Sequence, residues 1–493
     1  MIMKDNALPF TSLLIDGETR PSQDDKVFEV RNPYSGNVVG QAAAAFSEDC
    51  REAIETANKA YQQWEHSTLQ QRRDIFLQAA DLLASDRYSQ KIATCMREET
   101  AAIDGLHYFN HHVAVASLRD AAGMISDLKG EICPSHFPGG QMISQRRAMG
   151  VILAIAPWNV PILLSIRAVA IPILCGNAVI LKCSEISPRT QSIVAELFLE
   201  AGLPKGVLNF ISMDRNDAPA LTREIIANPL VRKINFTGSD VVGRILAAEA
   251  AKFLKPCVFE LGGKSPVVVL NDADLDKAAR AIVSSGIYHS GQVCISTERV
   301  LIQSEASKTL VPLIVAHMKD FIAGDCAENP DRLSTLFSGA SAERLIGYID
   351  EAKKEGADLL VGDALKDGNS VVQPHVLTGC KPGMKIWDRE SFGPVLVIGV
   401  ADTVDELITL ANTSDYSLAA GVWSGSLSTA LSVANRIRSG FTNINGPTLH
   451  VEGNTHAGLG GASGYGHFDV ESFTDMRRIV IHPEGPAQYP LVG

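Results

Sequence analysis

The sequence predicts an α/β protein of two doubly wound parallel-sheet lobes with a small β arm, and three observations carry that prediction. At 493 residues the chain is long for one core; at about 150 residues per domain it has room for roughly three. From Met149 onward, short apolar β-branched runs alternate with amphipathic helical runs, the pattern of a parallel sheet covered on both faces. The alternation comes in two series. A polar piece at 126–147, carrying Pro134, Pro138 and Gly139-Gly140, interrupts the first.

The elements follow in order. A strand is expected near 27–30, a helical stretch with Ala- and Leu-bearing periodicity at 47–86, and another helix near 105–120. Strands are expected at 150–156, 177–183, 207–212 and 233–238, with helices at 190–202 and 217–229 between them. The second series has strands at 265–270 and 391–400 and near Asn445, and a helix at about 278–285. The tail from about Phe473 holds the strand-like RRIVIH and then a Pro-rich end. A late strand without an obvious local partner is either an ordinary edge strand or an element that pairs with another subunit, and with 126–147 it suggests one oligomerisation arm. The expected division is 1–125 with 148–260, then 261–448, then the arm at 126–147 and 473–493.

Composition excludes several classes. The formal net charge is −12, with 46% hydrophobic and 20% charged residues. A disordered chain and a nucleic-acid binder are both disfavoured, the latter because phosphate contacts need a concentrated basic surface. Nine cysteines with no C-x-x-C pair suit a reducing compartment, with neither a disulfide framework nor a metal knuckle. The N-terminus lacks the layout of a signal peptide, so a cytoplasmic protein is expected. Residues 150–181 carry only Arg167 as a charge, but Pro157, Pro161 and Pro172 divide them into pieces that suit buried elements, not a membrane span.

Cys294, in SGQVCIST, stands among small residues that let a substrate and backbone amides approach a thiol. The other eight cysteines, Cys183 included, suit inert buried positions. Glu260, in FELGGKSP, ends an apolar strand before a Gly-Gly turn, where a carboxylate is costly to bury and so is a candidate general base. Asn159, in APWNVP, is an amide donor on a Pro-bracketed turn, suited to a developing oxyanion. Lys182 and Glu185 in ILKCSE offer a cation and an acceptor for ribose hydroxyls. Gly238 and Ser239 in FTGSDVVG sit where amides and a helix dipole can take a phosphate, and ESFGPV offers Glu390 and the apolar Phe392. No G-x-G-x-x-G follows a strand.

Taken together, APWNVP, KCSE, FTGS, ELGGKSP, GQVCIS and ESFGPV, in this order, resemble the NAD(P)-dependent aldehyde dehydrogenase superfamily from about Val30 to about Phe473. The resemblance implies two Rossmann-like lobes, one for the cofactor and one catalytic. It implies that Cys294 attacks an aldehyde, Asn159 holds the oxyanion, and Glu260 activates the water that hydrolyses the thioester. It gives Lys182 and Glu185 to the adenosine ribose, Ser239 to the pyrophosphate, Glu390 to the nicotinamide ribose, and Ile155, Pro157, Trp158, Leu261 and Phe392 to the pocket walls. Lys264 matches a family lysine of structural or proton-relay type. A carboxylate at Glu185 accepts from a 2′-hydroxyl and repels a 2′-phosphate, so NAD is expected as cofactor. No metal is expected.

The segment PWNVPILLSIRAVAIP and the run INGPTLH resemble the aromatic branch, the salicylaldehyde, vanillin and benzaldehyde dehydrogenases. Arg167 lies on the helix after Asn159 in wholly apolar surroundings, where it can meet a phenol or carboxylate or stack on a ring. Val160, Val293, Ile295 and His450 join it as candidate substrate contacts, with Tyr108 and His112 further out. The expected activity is oxidation of an aromatic, hydroxylated aldehyde to its acid by a homodimer or dimer of dimers. The alternatives are an aliphatic or semialdehyde dehydrogenase, a CoA-acylating enzyme and a silent relative. Where most relatives carry P-F-G-G-x-K-x-S-G, this chain has HAGLGGASGYG at 456–466, which puts the rim of the substrate entrance in question.

Overall fold

The computed structural model describes residues 8–450, 458–484 and 491. The first lobe is a seven-stranded sheet ordered Cys257–Glu260, Val231–Thr237, Val151–Ile155, Ala178–Lys182, Leu208–Ile211, Leu13–Ile15, Glu18–Arg20. The five strands from Cys257–Glu260 to Leu208–Ile211 are parallel, and Leu13–Ile15 joins them antiparallel. The chain steps outward one way from Val151–Ile155 and then returns to its other side, so a crevice opens at the carboxyl ends of these strands. The second lobe is also seven-stranded, ordered Asp358–Val361, His375–Thr378, Val395–Ala401, Thr297–Gln303, Ser265–Val269, Ala419–Trp423, Phe441–Ile444. Only its Asp358–Val361 edge runs antiparallel.

The expected stretch at 47–86 resolves into helices Ser47–Trp64 and Leu69–Leu83 and the start of Asp86–Thr100. The apolar period runs on across the breaks, but Thr68 and Ser85 turn their hydroxyls onto Gln71 N and Tyr88 N and so begin new helices. Residues 150–181 form strand Val151–Ile155, the wholly buried helix Pro161–Leu174 and strand Ala178–Lys182. Pro172 inside that helix frees the carbonyl of Ala168, and Asn235 Nδ2 donates to it at 2.9 Å. Among the described residues no helix is long and apolar enough to cross a membrane, and none of the nine cysteines is in a disulfide.

The tail strand does have a partner in its own chain. Thr474–Ile481 pairs antiparallel with Gln141–Ala148, which pairs in turn with Glu131–Pro134. This three-stranded sheet brings together the two segments grouped as the arm; residues 485–490 and 492–493 of that group lie outside the described residues. Local sequence cannot reveal such a partner, because some 330 positions separate the strands.

Candidate active site

Cys294 follows a strained turn. His289 and Ser290 take φ of 50° and 54°, left-handed values costly for residues with a β-carbon. Gly291 has φ 74°, and a β-carbon there would overlap the Gly393 carbonyl. Gly263 of the Gly-Gly turn packs so closely that a β-carbon would overlap the Cys294 carbonyl. The turn after Glu260 is thus fitted to the thiol loop. Glu260, fully buried at the end of Cys257–Glu260, accepts the Cys294 Sγ–H at 3.1 Å. Burial and the Glu260 carboxylate push the Cys294 thiol well above its ordinary range, so the sulfur is a protonated thiol at neutral pH.

Asn159, 4% exposed, donates from Nδ2 to the Gln292 carbonyl at 3.0 Å. An amide nitrogen carries two hydrogens, so this bond orients the group and leaves the second for an oxyanion. Gln292 itself anchors the loop: its Nε2 donates to His289 O and Thr335 O, and its Oε1 accepts from Phe337 N.

A cleft of about 410 Å³ crosses the carboxyl ends of the first lobe's strands and reaches Cys294 and Asn159. It is lined by all ten residues expected at a cofactor: Ile155, Pro157, Trp158, Lys182, Glu185, Gly238, Ser239, Leu261, Glu390 and Phe392. Trp158 and Phe392 meet edge to face with ring centres 5.9 Å apart. Ser239 caps helix Asp240–Ala251, accepting from Val242 N, which places a helix N-terminus at the cleft. The donor set therefore fits a dinucleotide: a cation, two carboxylates, a helix start and aromatic walls, all in one cleft that reaches the thiol.

Sequence reasoning missed Ser184, Ile186, Arg215, Phe337 and Arg344, which also line the cleft. Arg215 follows strand Leu208–Ile211 in a polar loop, and a cation just past a strand end is the signal that was there to use. Phe337 and Arg344 come from the second lobe and carry no local motif. Gln191 was also missed; its Nε2 bonds Ala156 O, Pro157 O and Ser165 Oγ and its Oε1 accepts from Ser184 N, so one side chain ties two cleft loops together.

The expected substrate contacts lie outside that lining. Val293 and Ile295 form an apolar cluster with Leu418 and Ala419, on which Tyr288, Leu449 and Cys294 pack. Val160 is buried at the start of helix Pro161–Leu174. His450 stacks on Phe441 with ring centres 3.9 Å apart, and burial, with Arg167 adding to it, pushes its imidazole down to about 4. Arg167 has protein partners besides the substrate contact expected of it. Its Nη2 pairs with Glu260 and donates to Thr237 Oγ1 at 3.3 Å, and its guanidinium lies 4.6 Å above the Phe468 ring. A buried guanidinium takes the nearest carboxylate, here the candidate base. Tyr108 is 63% exposed and lies against the His112 ring, with ring centres 3.8 Å apart. Residues 456–457 of the unusual segment lie outside the described residues. Its remainder bonds along the base-bearing strand: Phe259 N donates to Tyr465 O at 2.8 Å, and Leu261 N to Ser463 O at 3.1 Å.

Residues 19–479 match the model of the aldehyde dehydrogenase family. A vanillin dehydrogenase of a Pseudomonas species (strain HR199) is 41% identical over 483 residues, 97% of this chain and 99% of its own. The crystal structure of a salicylaldehyde dehydrogenase from Pseudomonas putida G7 complexed with salicylaldehyde superposes with a TM-score of 0.94 at 34% identity, covering 98% of this chain and all of that one. The structure of an NAD-dependent aldehyde dehydrogenase from Sinorhizobium meliloti gives a TM-score of 0.93 at 29% identity over 98% of this chain and 97% of that chain. The chain belongs to the aldehyde dehydrogenase family.

Proposed function

We propose that this enzyme oxidises a hydroxylated aromatic aldehyde to its carboxylic acid with NAD, and that Cys294, Glu260 and Asn159 carry the chemistry. The observation that carries the mechanism is the contact of the Cys294 thiol with Glu260 at 3.1 Å. Glu260 takes the thiol proton as sulfur attacks the carbonyl carbon. The oxyanion of the thiohemiacetal is held by the free Nδ2 hydrogen of Asn159 and the Cys294 N–H. NAD, when bound, supplies the hydride acceptor. Glu260 releases the thiol proton to solvent and then, as a carboxylate again, deprotonates a water that attacks the thioester; the departing thiolate takes that proton back from Glu260 and the free acid leaves. The retained base speaks against a CoA-acylating role, since it would hydrolyse the acyl enzyme. The substrate class rests on the vanillin and salicylaldehyde dehydrogenases among the relatives. The expected result is that specificity constants over a panel of aromatic and aliphatic aldehydes peak at vanillin or salicylaldehyde, with free acid as product. A peak at an aliphatic aldehyde would overturn the aromatic assignment.

Arg167 serves both base and substrate in this reading. Its Nη2 holds Glu260, and the same guanidinium is proposed to donate to a phenol on the ring. Arg167→Leu should lower kcat/KM for every aldehyde, because it leaves Glu260 buried without its cation. Hydroxylated benzaldehydes should lose about tenfold more than benzaldehyde, the worth of one charge-assisted hydrogen bond. Equal losses would restrict Arg167 to holding the base.

The arm is proposed to join copies of the chain, as a homodimer or dimer of dimers. Ile132, Ile479, Val480 and Ile481 stand exposed on it at 71%, 47%, 46% and 46%, an apolar surface that a second copy would cover. Nine cysteines outside any disulfide suit a reducing cytoplasm.

A further inference from the structure

Glu298 stands four positions after the thiol yet plays no part in the chemistry above and is not among the residues that line the cleft. It is 4% exposed, at the start of strand Thr297–Gln303. Its carboxylate pairs with the buried Lys264 of the base motif. The same carboxylate accepts Ser391 N–H at 3.0 and 2.9 Å and Phe392 N–H at 3.2 Å, and Lys264 Nζ donates to Ser391 Oγ at 2.8 Å. Phe392 has φ 50°, a left-handed conformation that is costly for a bulky residue and persists only when its surroundings impose it. On the other side of the loop, Glu390 accepts Gly263 N–H at 2.8 Å, next to Lys264. Arg299 fixes Lys264 in turn, donating to its carbonyl at 3.1 Å.

A buried ion pair is a poor source of stability, since an apolar pair of similar volume generally does as well. What this pair supplies and an apolar one would not is a set of acceptors for the amides of a strained loop. That loop presents Glu390 and Phe392 to the cleft. We infer that Glu298, braced by Lys264, is a positioning residue that sets the place of Glu390 and Phe392, and through them the grip on the nicotinamide half of NAD. The inference rests on the assignment of Glu390 and Phe392 to that half.

Electrostatics adds a separable signature. Burial first, and then the charge of Glu298, push the Glu390 carboxyl up to about 8; Asp240 adds to the rise, Arg344 and the Gly263 N–H oppose it, and Lys264, Tyr416 and the Cys294 thiol also interact with it. Neutralising Glu298 should therefore move a Glu390-dependent limb of the pH profile to lower pH.

The experiment compares Glu298→Gln, the double variant Lys264→Met/Glu298→Leu and Glu390→Gln by steady-state kinetics and thermal melting. The double variant leaves no unpaired buried charge, so it folds even if the single one does not. The expected result for both Glu298 variants is a KM for NAD raised about tenfold with the aldehyde KM within about twofold, plus the pH shift in Glu298→Gln. If Glu390→Gln raises the NAD KM and the Glu298 variants do not, the inference fails and the site assignment stands. If Glu390→Gln leaves the NAD KM unchanged, the site assignment fails with it. Equal rises in both KM values together with a lower melting temperature would make Glu298 a fold residue only.

Discussion

Cys294→Ser is expected to leave no more than about 10⁻⁴ of wild-type NADH production with any aldehyde. The substitution changes one atom and keeps the shape of the loop, so the strained turn at His289 and Ser290 should survive it. What changes is the proton. The thiol is already pushed well above its ordinary range by burial and by Glu260, and Glu260 must take the proton for sulfur to attack. An alcohol in the same place binds its proton far more tightly still, beyond the reach of a carboxylate base. Binding of NAD, followed by fluorescence, should stay within about twofold of wild type, since a serine at this lining position nearly keeps the shape of the cysteine. Turnover above about one per cent would mean that another group, or water alone, attacks the aldehyde.

Glu260→Gln is expected to lower both the pre-steady-state burst and steady turnover, each by about 10²–10³-fold, within the usual worth of one proton-transfer group. A glutamate acting only on water would leave the burst intact. The structure argues otherwise, because the same carboxylate that would activate water holds the thiol proton at 3.1 Å. A pH test sharpens the point. Glu260 raises the thiol, so in the glutamine variant the thiol ionises at lower pH than in wild type, and the residual burst should climb with pH. Stopped-flow measurement of the burst amplitude and rate decides the matter; a full, fast burst followed by slow turnover would confine Glu260 to hydrolysis.

The sequence reveals the parts of this enzyme better than their pairings. Both parallel-sheet series are visible in their β-branched runs, and all ten expected cofactor residues line one cleft. Those residues sit at strand ends and turns, where local chemistry is informative. The helix breaks at Thr68 and Ser85 are hidden because the apolar period continues through them. Arg167 illustrates the deeper limit. Its apolar surroundings on the helix mark it as functional, but its nearest carboxylate comes from a strand 93 positions away, and periodicity holds no record of that meeting. Phe337, Gln191 and the Glu298–Lys264 pair escape for the same reason: each acts across elements that meet only in three dimensions.

The arm bears on how the molecule is made. Strand Gln141–Ala148 leaves the ribosome early, whereas Thr474–Ile481, which covers one of its edges, arrives some 330 residues later. The first lobe waits as well, because Asn177 Nδ2 donates to the Phe473 carbonyl and Lys233 to that of Ser472. During synthesis an apolar-bearing edge and several buried polar groups therefore stand without their partners for most of the chain's emergence, a slow, long-range closure exposed to aggregation. A nascent chain halted before residue 472 would keep that edge open, a ready mark for chaperones and proteases to recognise.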